Sequence, residues 1–334
     1  MYQWVPLPAA LRGNLVTAKS VWPYEGIRLT LLRMTDGGIY GSGILTRSRA
    51  VITSETLGLT RQDTTANYWR SPLQADGDGR LSLSRPLRPL QVDEPAFLLS
   101  QGGDEIYGHW LLDLIPKTGW RHRHRAAWTA WIVSTRAPKQ AIGLLERQGI
   151  ARQSLVFYDP LQEYVQCRDL WFSTLPRHGT ALHLPAIQGV FPVFQCHTTV
   201  RQKYFLSRAQ WPNPYKRCHN RPAVEALFRD AGYQIIHPQQ LTEKEQITLY
   251  ATASHLAGEY GSALHNSVFC PVGTEIICLH HPTASIWVQE QLCKAYSQRC
   301  VPLAGRAVGD QEQPHWLGEW EVDLKTLHGR LVRH

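Results

Sequence analysis

The chain has 334 residues, 43% of them apolar and 19% charged. This composition excludes a disordered segment and suits two domains of ordinary size. Thirty-five Lys and Arg against 27 Asp and Glu leave a formal charge of +8, which points to anionic partners without naming the anion. Seven cysteines, at 167, 196, 218, 270, 278, 293 and 300, are odd in number and form no CxxC pair, which argues for reduced thiols and against a disulfide scaffold or a zinc site.

The opening "MYQWVPLPAALRGNL" lacks the basic and apolar blocks of a signal peptide. No stretch approaches the roughly eighteen apolar residues of a membrane span. A cytoplasmic protein is therefore expected, with peripheral association at the inner face of a membrane left open by its basic patches. Residues 1–100 read mainly as strands: "IRLTLLRM", "GIYGSGILTR", "AVITSE" and "PAFLLSQ", separated by turn signals such as "TDGG" and "DGDG". From Ile106 the rhythm changes. "IYGHWLLDLIPK" reads as a helix, "AAWTAWIVST" as a strand, "KQAIGLLERQG" as a helix ending at Gly149, and "SLVFYD" and "YVQCRDLWFST" as strands. "TALHLPAIQGVFPVFQCHTTVRQ" reads as a proline-interrupted helix crossing between domains.

Regular alternation follows. "KYFLSR" is a strand, and "RPAVEALFRDAGY" a helix with Asn220 at its N-cap and Pro222 in its first turn. "YQIIHP" is a strand, and "LTEKEQITLYATA" a helix opened by a Thr242/Glu245 capping box. "HLAGEYG" is a strand and turn, "SALHNSVFC" a short helix, "TEIICLHH" a strand, "SIWVQEQLCKAYSQ" a helix and "CVPLAG" a last strand. Such alternation implies a parallel, Rossmann-like sheet whose ligands sit beyond the carboxyl ends of the strands.

Charge is unevenly distributed. Between Leu170 and Val224 there is no Asp or Glu, while Arg177, Arg201, Lys203, Arg208, Lys216, Arg217 and Arg221 fall in that stretch. Solvated faces usually mix both signs, so this belt reads as the lining of an anion-binding cleft. Lys117, Arg121, Arg123 and Arg125 form a second basic cluster. No RNA- or DNA-binding module accompanies either, so no nucleic-acid partner is expected. The 12 Trp suit cores and sugar-binding faces alike.

Several residues could carry chemistry. Gly258 and Gly261 let the backbone approach a ligand, and Ser262 and Ala263 begin a helix whose free N–H groups favour an anion, although the GxxG spacing fits neither a dinucleotide fingerprint nor a P-loop. Arg208 ends a strand, where it is either a surface charge or a fork for a diphosphate. His109 and Asp113 share a helix face and form either a general base or a pair tying two elements together. Asp76 and Asp78 form a DxD, read as a hairpin turn rather than a metal site. His122/His124 and His280/His281 lack zinc spacing, so no metal is expected.

"YGHWLLDLIPK", "YFLSR" and the run from "NRPAVEALFRDAGY" to "HLAGEYGSALHNSVFCPVGTEIICL" together resemble glycosyltransferase family 61, most closely its bacterial capsular polysaccharide branch, over about residues 95–285. The resemblance implies an α/β GT-B-like fold of two Rossmann-like domains facing across a cleft. Residues 1–185 would form the acceptor-side domain with a β-rich start, 186–310 the nucleotide-sugar domain, and 311–334 a tail packing back on the first. It implies an inverting hexosyl- or pentosyltransferase that needs no metal or other cofactor and takes a nucleotide-diphospho-sugar, a UDP-sugar by expectation, and a glycan or lipid-linked glycan acceptor. By position, Ser207, Arg208, Gly258, Tyr260, Gly261, Ser262, Ala263, His265 and Asn266 would hold the donor, His237 and Pro238 would border its nucleoside, and His109 and Asp113 would face the acceptor. Two positions depart from the family pattern. Glu259-Tyr260 stands where a Pro-His pair is usual, and Arg221-Pro222 where acids are usual. A non-catalytic module binding an anionic glycan or nucleotide is the alternative.

Overall fold

The computed structural model describes residues 3–57, 70–75, 81–124, 127–178, 181–192, 201–211, 218–309 and 318–332. Asp76, Asp78, Arg125, Cys196, Lys216 and Arg217 lie outside the described residues. The chain divides into two compact units, Met1–Val190 and Phe191–His334.

The first unit is built on a ten-stranded mixed sheet. Its strands are β1 (Gln3–Pro6), β2 (Thr17–Tyr24), β3 (Ile27–Tyr40), β4 (Ile44–Arg47), β5 (Ala50–Thr53), β6 (Arg88–Val92), β7 (Ala96–Leu98), β8 (Ala130–Ser134), β9 (Leu155–Tyr158) and β10 (Glu163–Ser173). The order is β1-β5-β4-β3-β10-β7-β8-β9, with β2 added to β3 and β6 to β10. Its centre is the long antiparallel pair β3/β10, in which Met34 faces Leu170 and Leu32 faces Phe172. These four side chains are buried in the main core with Ile39, Val51, Ile132 and Val165. The sheet joins parallel α/β strands to the extra strands expected at the start of the chain. β7, β8 and β9 run as neighbouring parallel strands, with helix α1 (Lys139–Arg147) crossing from β8 to β9, and β10 runs parallel to both β7 and β6. The β-rich start adds antiparallel pairs and one parallel pair, β1 with β5, and merges into the same sheet.

The run expected as one helix from Ile106 changes pitch twice. Tyr107–His109 is α-helical, Trp110–Leu114 makes a π turn, and Ile115–Gly119 tightens to a 3-10 helix. Pro116, with no N–H to give, sits where the tighter turn begins. Helix α2 (Leu184–Val190) packs on that 3-10 turn, so the first unit extends past the expected boundary at 185. The helix is also shorter than the crossing segment expected there.

The second unit carries five parallel strands: β11 (Gln202–Leu206), β12 (Gln234–Ile236), β13 (Ala253–Glu259), β14 (Glu275–His280) and β15 (Arg299–Ala304). Their order is β12-β11-β13-β14-β15, the doubly wound arrangement in which the chain reverses direction across the sheet between β11 and β13. Helices α3 (Arg221–Asp230), α4 (Glu243–Tyr250) and α5 (Trp287–Ala295) make the crossovers. The Thr242/Glu245 capping box is present in full.

The C-terminal segment does not leave this unit. Strands β16 (Arg306–Val308) and β17 (Glu319–Glu321) pair, and helix α6 (Leu324–Leu331) packs on α3. Trp320, Val322, Leu327 and Leu331 join Phe205, Val224 and Phe228 in the core. Residues 318–331 of the expected C-terminal tail thus contribute to the core of the second unit. Asn220 accounts for part of it. Its side chain does not cap α3; it donates from Nδ2 to the Val322 carbonyl at 2.7 Å and accepts the Val322 N–H at 3.0 Å.

The six described cysteines are free thiols, five of them buried. Among the described residues no helix is long and apolar enough to cross a membrane. Replacing Asn220 with Ala strands both backbone groups of buried Val322, so Asn220→Ala is expected to cost roughly 2 kcal/mol. Limited proteolysis of residues 318–332 together with urea unfolding checks this; unchanged values for both would remove the role given to Asn220.

Candidate functional site

The reversal point between β11 and β13 has a distinct chemistry. Arg208, just past the end of β11, donates from its guanidinium to the Tyr260 carbonyl, just past β13, at 3.1 Å. Arg208, Glu259, Tyr260, His280, His281 and Trp320 line a cavity there of about 290 Å³, its open mouth included. Burial lowers the Arg208 pKa while Glu259 acts in the opposite direction, yet an arginine keeps its charge at neutral pH. His281, held by Thr283 at 2.9 Å, has its pKa lowered by burial and by the neighbouring His280.

Glu259 is 5% exposed. Its Oε1 accepts from Arg221 Nε at 2.7 Å, and its Oε2 is buried without a hydrogen-bond partner. Arg221 is the first residue of α3, so the pair fixes the start of that helix to the end of β13. The Ser207 hydroxyl donates to Glu225 at 2.5 Å and accepts from the Ala209 N–H at 3.0 Å. That second contact from α3 holds the end of β11.

The other expected donor residues divide between the cavity and the interior. Tyr260 reaches the cavity, and its N–H is taken by the Leu279 carbonyl at 2.8 Å. Gly261, at φ 143°, makes the turn a side chain would resist. Gly258 is needed for another reason. It pairs with Leu206 in the sheet, and a Cβ there would stand 3.2 Å from the Leu206 Cβ.

The segment after the glycine loop is short and tightly wound. Leu264–Phe269 is a six-residue 3-10 helix. The N–H groups of Leu264 and His265 turn back to the Gly261 carbonyl, and that of Asn266 to Ala263. Ser262 and Ala263 are half-buried in the turn before it. His265 and Asn266 point inward, His265 Nδ1 to Gln289 at 3.1 Å and Asn266 Nδ2 to Gln246 at 3.3 Å. Ser207, His265 and Asn266 therefore shape the loop through internal bonds. Pro238 is buried with its carbonyl accepting from Gln246 at 2.9 Å, and the neighbouring His237 keeps a buried Nδ1 without a hydrogen-bond partner.

In the first unit, His109 Nδ1 lies 2.9 Å from Asp113 Oδ2, which also receives the Arg177 guanidinium at 2.6 Å. The Asp113 side chain is 3% exposed and that of His109 23%. A buried carboxylate gripped by a cation and an imidazole orients the ring: with Nδ1–H donated to Asp113, the lone pair of neutral His109 lies on Nε2. The π turn places this i, i+4 pair, and such turns often mark functional positions. Arg177 was legible only as one cation of the belt, because its partner lies 64 residues away. Glu259 with Arg221, and His281 with Trp320, were not legible as neighbours in the sequence. Among the described residues no three His, Cys, Asp or Glu side chains converge to hold a metal.

A doubly wound parallel sheet with an arginine at its reversal point, joined in one chain to a unit carrying an oriented histidine, defines an α/β protein equipped for anionic ligands. The family model for glycosyltransferase 61 matches residues 107–277, slightly more than half of the chain, and the chain belongs to that family. It is a glycosyltransferase, and the family implies a sugar donor and a glycan acceptor. No curated protein matches the chain.

The Arg221–Glu259 pair is open to direct test. Arg221→Met leaves a buried carboxylate unpaired and is expected to cost about 3 kcal/mol. Adding Glu259→Leu should recover most of that loss in denaturant unfolding. A double variant as unstable as the single one would contradict the pairing.

Proposed function

We propose that the protein is an inverting, metal-independent glycosyltransferase that moves a hexose or pentose from a nucleotide-diphospho-sugar, a UDP-sugar, to a glycan or lipid-linked glycan acceptor of bacterial surface polysaccharide. The proposal includes a GT-B arrangement, with the second unit binding the donor and the first supplying the base, and a cytoplasmic protein whose basic patches meet the membrane face. The observation that carries it is Arg208. A permanent cation stands at the reversal point of a doubly wound sheet, where ligands of such sheets bind, and it donates there to a neutral carbonyl.

His109 Nε2 takes the proton of the acceptor hydroxyl, with Asp113 and Arg177 holding the ring. The hydroxyl oxygen attacks the anomeric carbon, and the bond from that carbon to the diphosphate oxygen breaks with inversion. Arg208 stabilises the charge on the leaving diphosphate, a task suited to a preorganised cation in a cavity. Tyr260 and the Gly261 turn border the phosphates, and His237 the nucleoside.

Arg208→Ala is expected to weaken nucleotide-diphosphate binding by at least about tenfold, the worth of a charge-assisted hydrogen bond. Calorimetry reads this directly, and wild-type affinity would displace the donor site. His109→Ala and Asp113→Asn should keep donor binding while lowering transfer about a hundredfold or more, as loss of a general base does. Transfer at wild-type rates in both variants would overturn the base. A donor that binds but is neither transferred nor slowly hydrolysed would favour the non-catalytic alternative.

A further inference from the structure

Two thiols meet at the edge of the second sheet, in a place the transfer chemistry above does not use. Cys293 lies in the last turn of α5, and Cys300 is the second residue of β15, an edge strand. Between them the chain reverses in a tight turn, in which the Gln298 N–H returns to the Cys293 carbonyl at 2.8 Å and Ser297 takes φ 51°. Strand alternation puts Val301 and Leu303 on the face that packs against the α3 core. Cys300 therefore points to the opposite face, where α5 packs on β15. The two thiols share a hydrogen bond there, and it acts on them in opposite directions. It lowers the Cys300 pKa against the effect of burial, and together with burial it raises that of Cys293. The Cys293 S–H is thus the donor and the Cys300 sulfur the acceptor. From the previous turn of α5, the Gln289 amide reaches the Cys293 sulfur at 3.6 Å.

The other described cysteines lack this combination. Cys167, Cys218, Cys270 and Cys278 are buried, and burial raises the pKa of each. Cys278 stands on the neighbouring strand β14, but its register partner is Pro302, while Cys300 pairs with Ile276. Cys300 is half-buried. A thiol that is accessible, inclined to ionise and backed by a second thiol has the makeup of a peroxide-sensitive pair. We propose that Cys300 and Cys293 form a redox-modification site, in which a hydroperoxide converts the two thiols into one disulfide. The Cys300 thiolate attacks a peroxide oxygen, the O–O bond breaks, and the leaving oxygen takes up a proton. The Cys293 sulfur then attacks the sulfenic acid at Cys300. The S–O bond breaks, the hydroxyl leaves as water with the Cys293 proton, and the S–S bond forms. The two thiols lose two hydrogens and two electrons, and hydrogen peroxide is reduced to two waters. An excess of free thiol reverses the change by exchange. The inference stands on the thiols of the second unit and holds whatever ligand meets Arg208.

The test exposes the full, reduced chain to a small excess of hydrogen peroxide, digests it after Lys, Arg and Glu, and maps the products by mass spectrometry. This cleavage leaves Cys293 in residues 291–294, Cys278 in 276–290 and Cys300 in 300–306. The expected product joins 291–294 to 300–306 with the loss of two hydrogens, and dithiothreitol restores both thiols. Cys300→Ser should abolish this cross-link and protect Cys293 from oxidation. Cys293→Ala should leave Cys300 as a sulfenic acid that dimedone captures. The proposal is overturned if the folded chain keeps both thiols, if Cys300 joins Cys278 instead, or if Cys293 oxidises equally fast in Cys300→Ser. A folded Cys293→Ala chain without a dimedone adduct at Cys300 overturns it as well. Should that variant fail to fold, the cross-link in the wild type and its loss in Cys300→Ser decide the question.

Discussion

A carboxylate cannot stay charged in a protein interior without a counter-charge, and Glu259 imposes that condition on the second unit. Arg221 meets it at 2.7 Å from the first position of α3. Glu225, one turn further along, receives the Ser207 hydroxyl. The first turn of one helix thus holds the ends of both strands that flank the reversal point, β13 through Glu259 and β11 through Ser207. Arg208 is the next residue after Ser207, so its position beside the Tyr260 carbonyl depends on both contacts. Behind them, Val224 and Phe228 of α3 pack with Phe205 of β11 and with the terminal helix α6. The apolar core and the polar clamp place the same helix.

The second unit was largely legible in the sequence because each of its elements carries its own local signal. Its strands are short apolar runs, α4 has a complete capping box, and each crossover is short enough to force the parallel order. The first unit was less legible. Its sheet is organised by the pairing of β3 with β10, strands separated by more than a hundred residues, and no local pattern announces such a partner. The helix expected from Ile106 shows a related limit. Its apolar spacing fits a helix of any pitch, and only the path of the chain around Asp113 and Pro116 selects π and 3-10 turns.

The candidate site divides along the same line. His109 with Asp113, Arg208 and the Gly258–Gly261 loop could be read because spacing or strand ends mark them. Arg177 on Asp113 and Arg221 on Glu259 could not, because each joins segments remote in sequence. The loop shows the same limit in its helix. Its apolar spacing gives no pitch, and the chain forms a six-residue 3-10 helix that returns the N–H groups of Leu264 and His265 to Gly261 and buries its side chains. Gly258 serves strand pairing and Gly261 the turn.

The two departures from the family pattern have a common explanation. Glu259 adds a negative charge where the family usually has a neutral or basic residue, and Arg221 adds a positive one where acids are usual. Taken singly, each would disturb an anion site. Together they form one ion pair, which removes the added charges from each other's surroundings: Glu259 acts on Arg208 in one direction and Arg221 in the other. Arg208 is left donating to a carbonyl instead of being neutralised by Glu259. The ion pair therefore leaves the Arg208 guanidinium directed at the sheet's reversal point and not at Glu259.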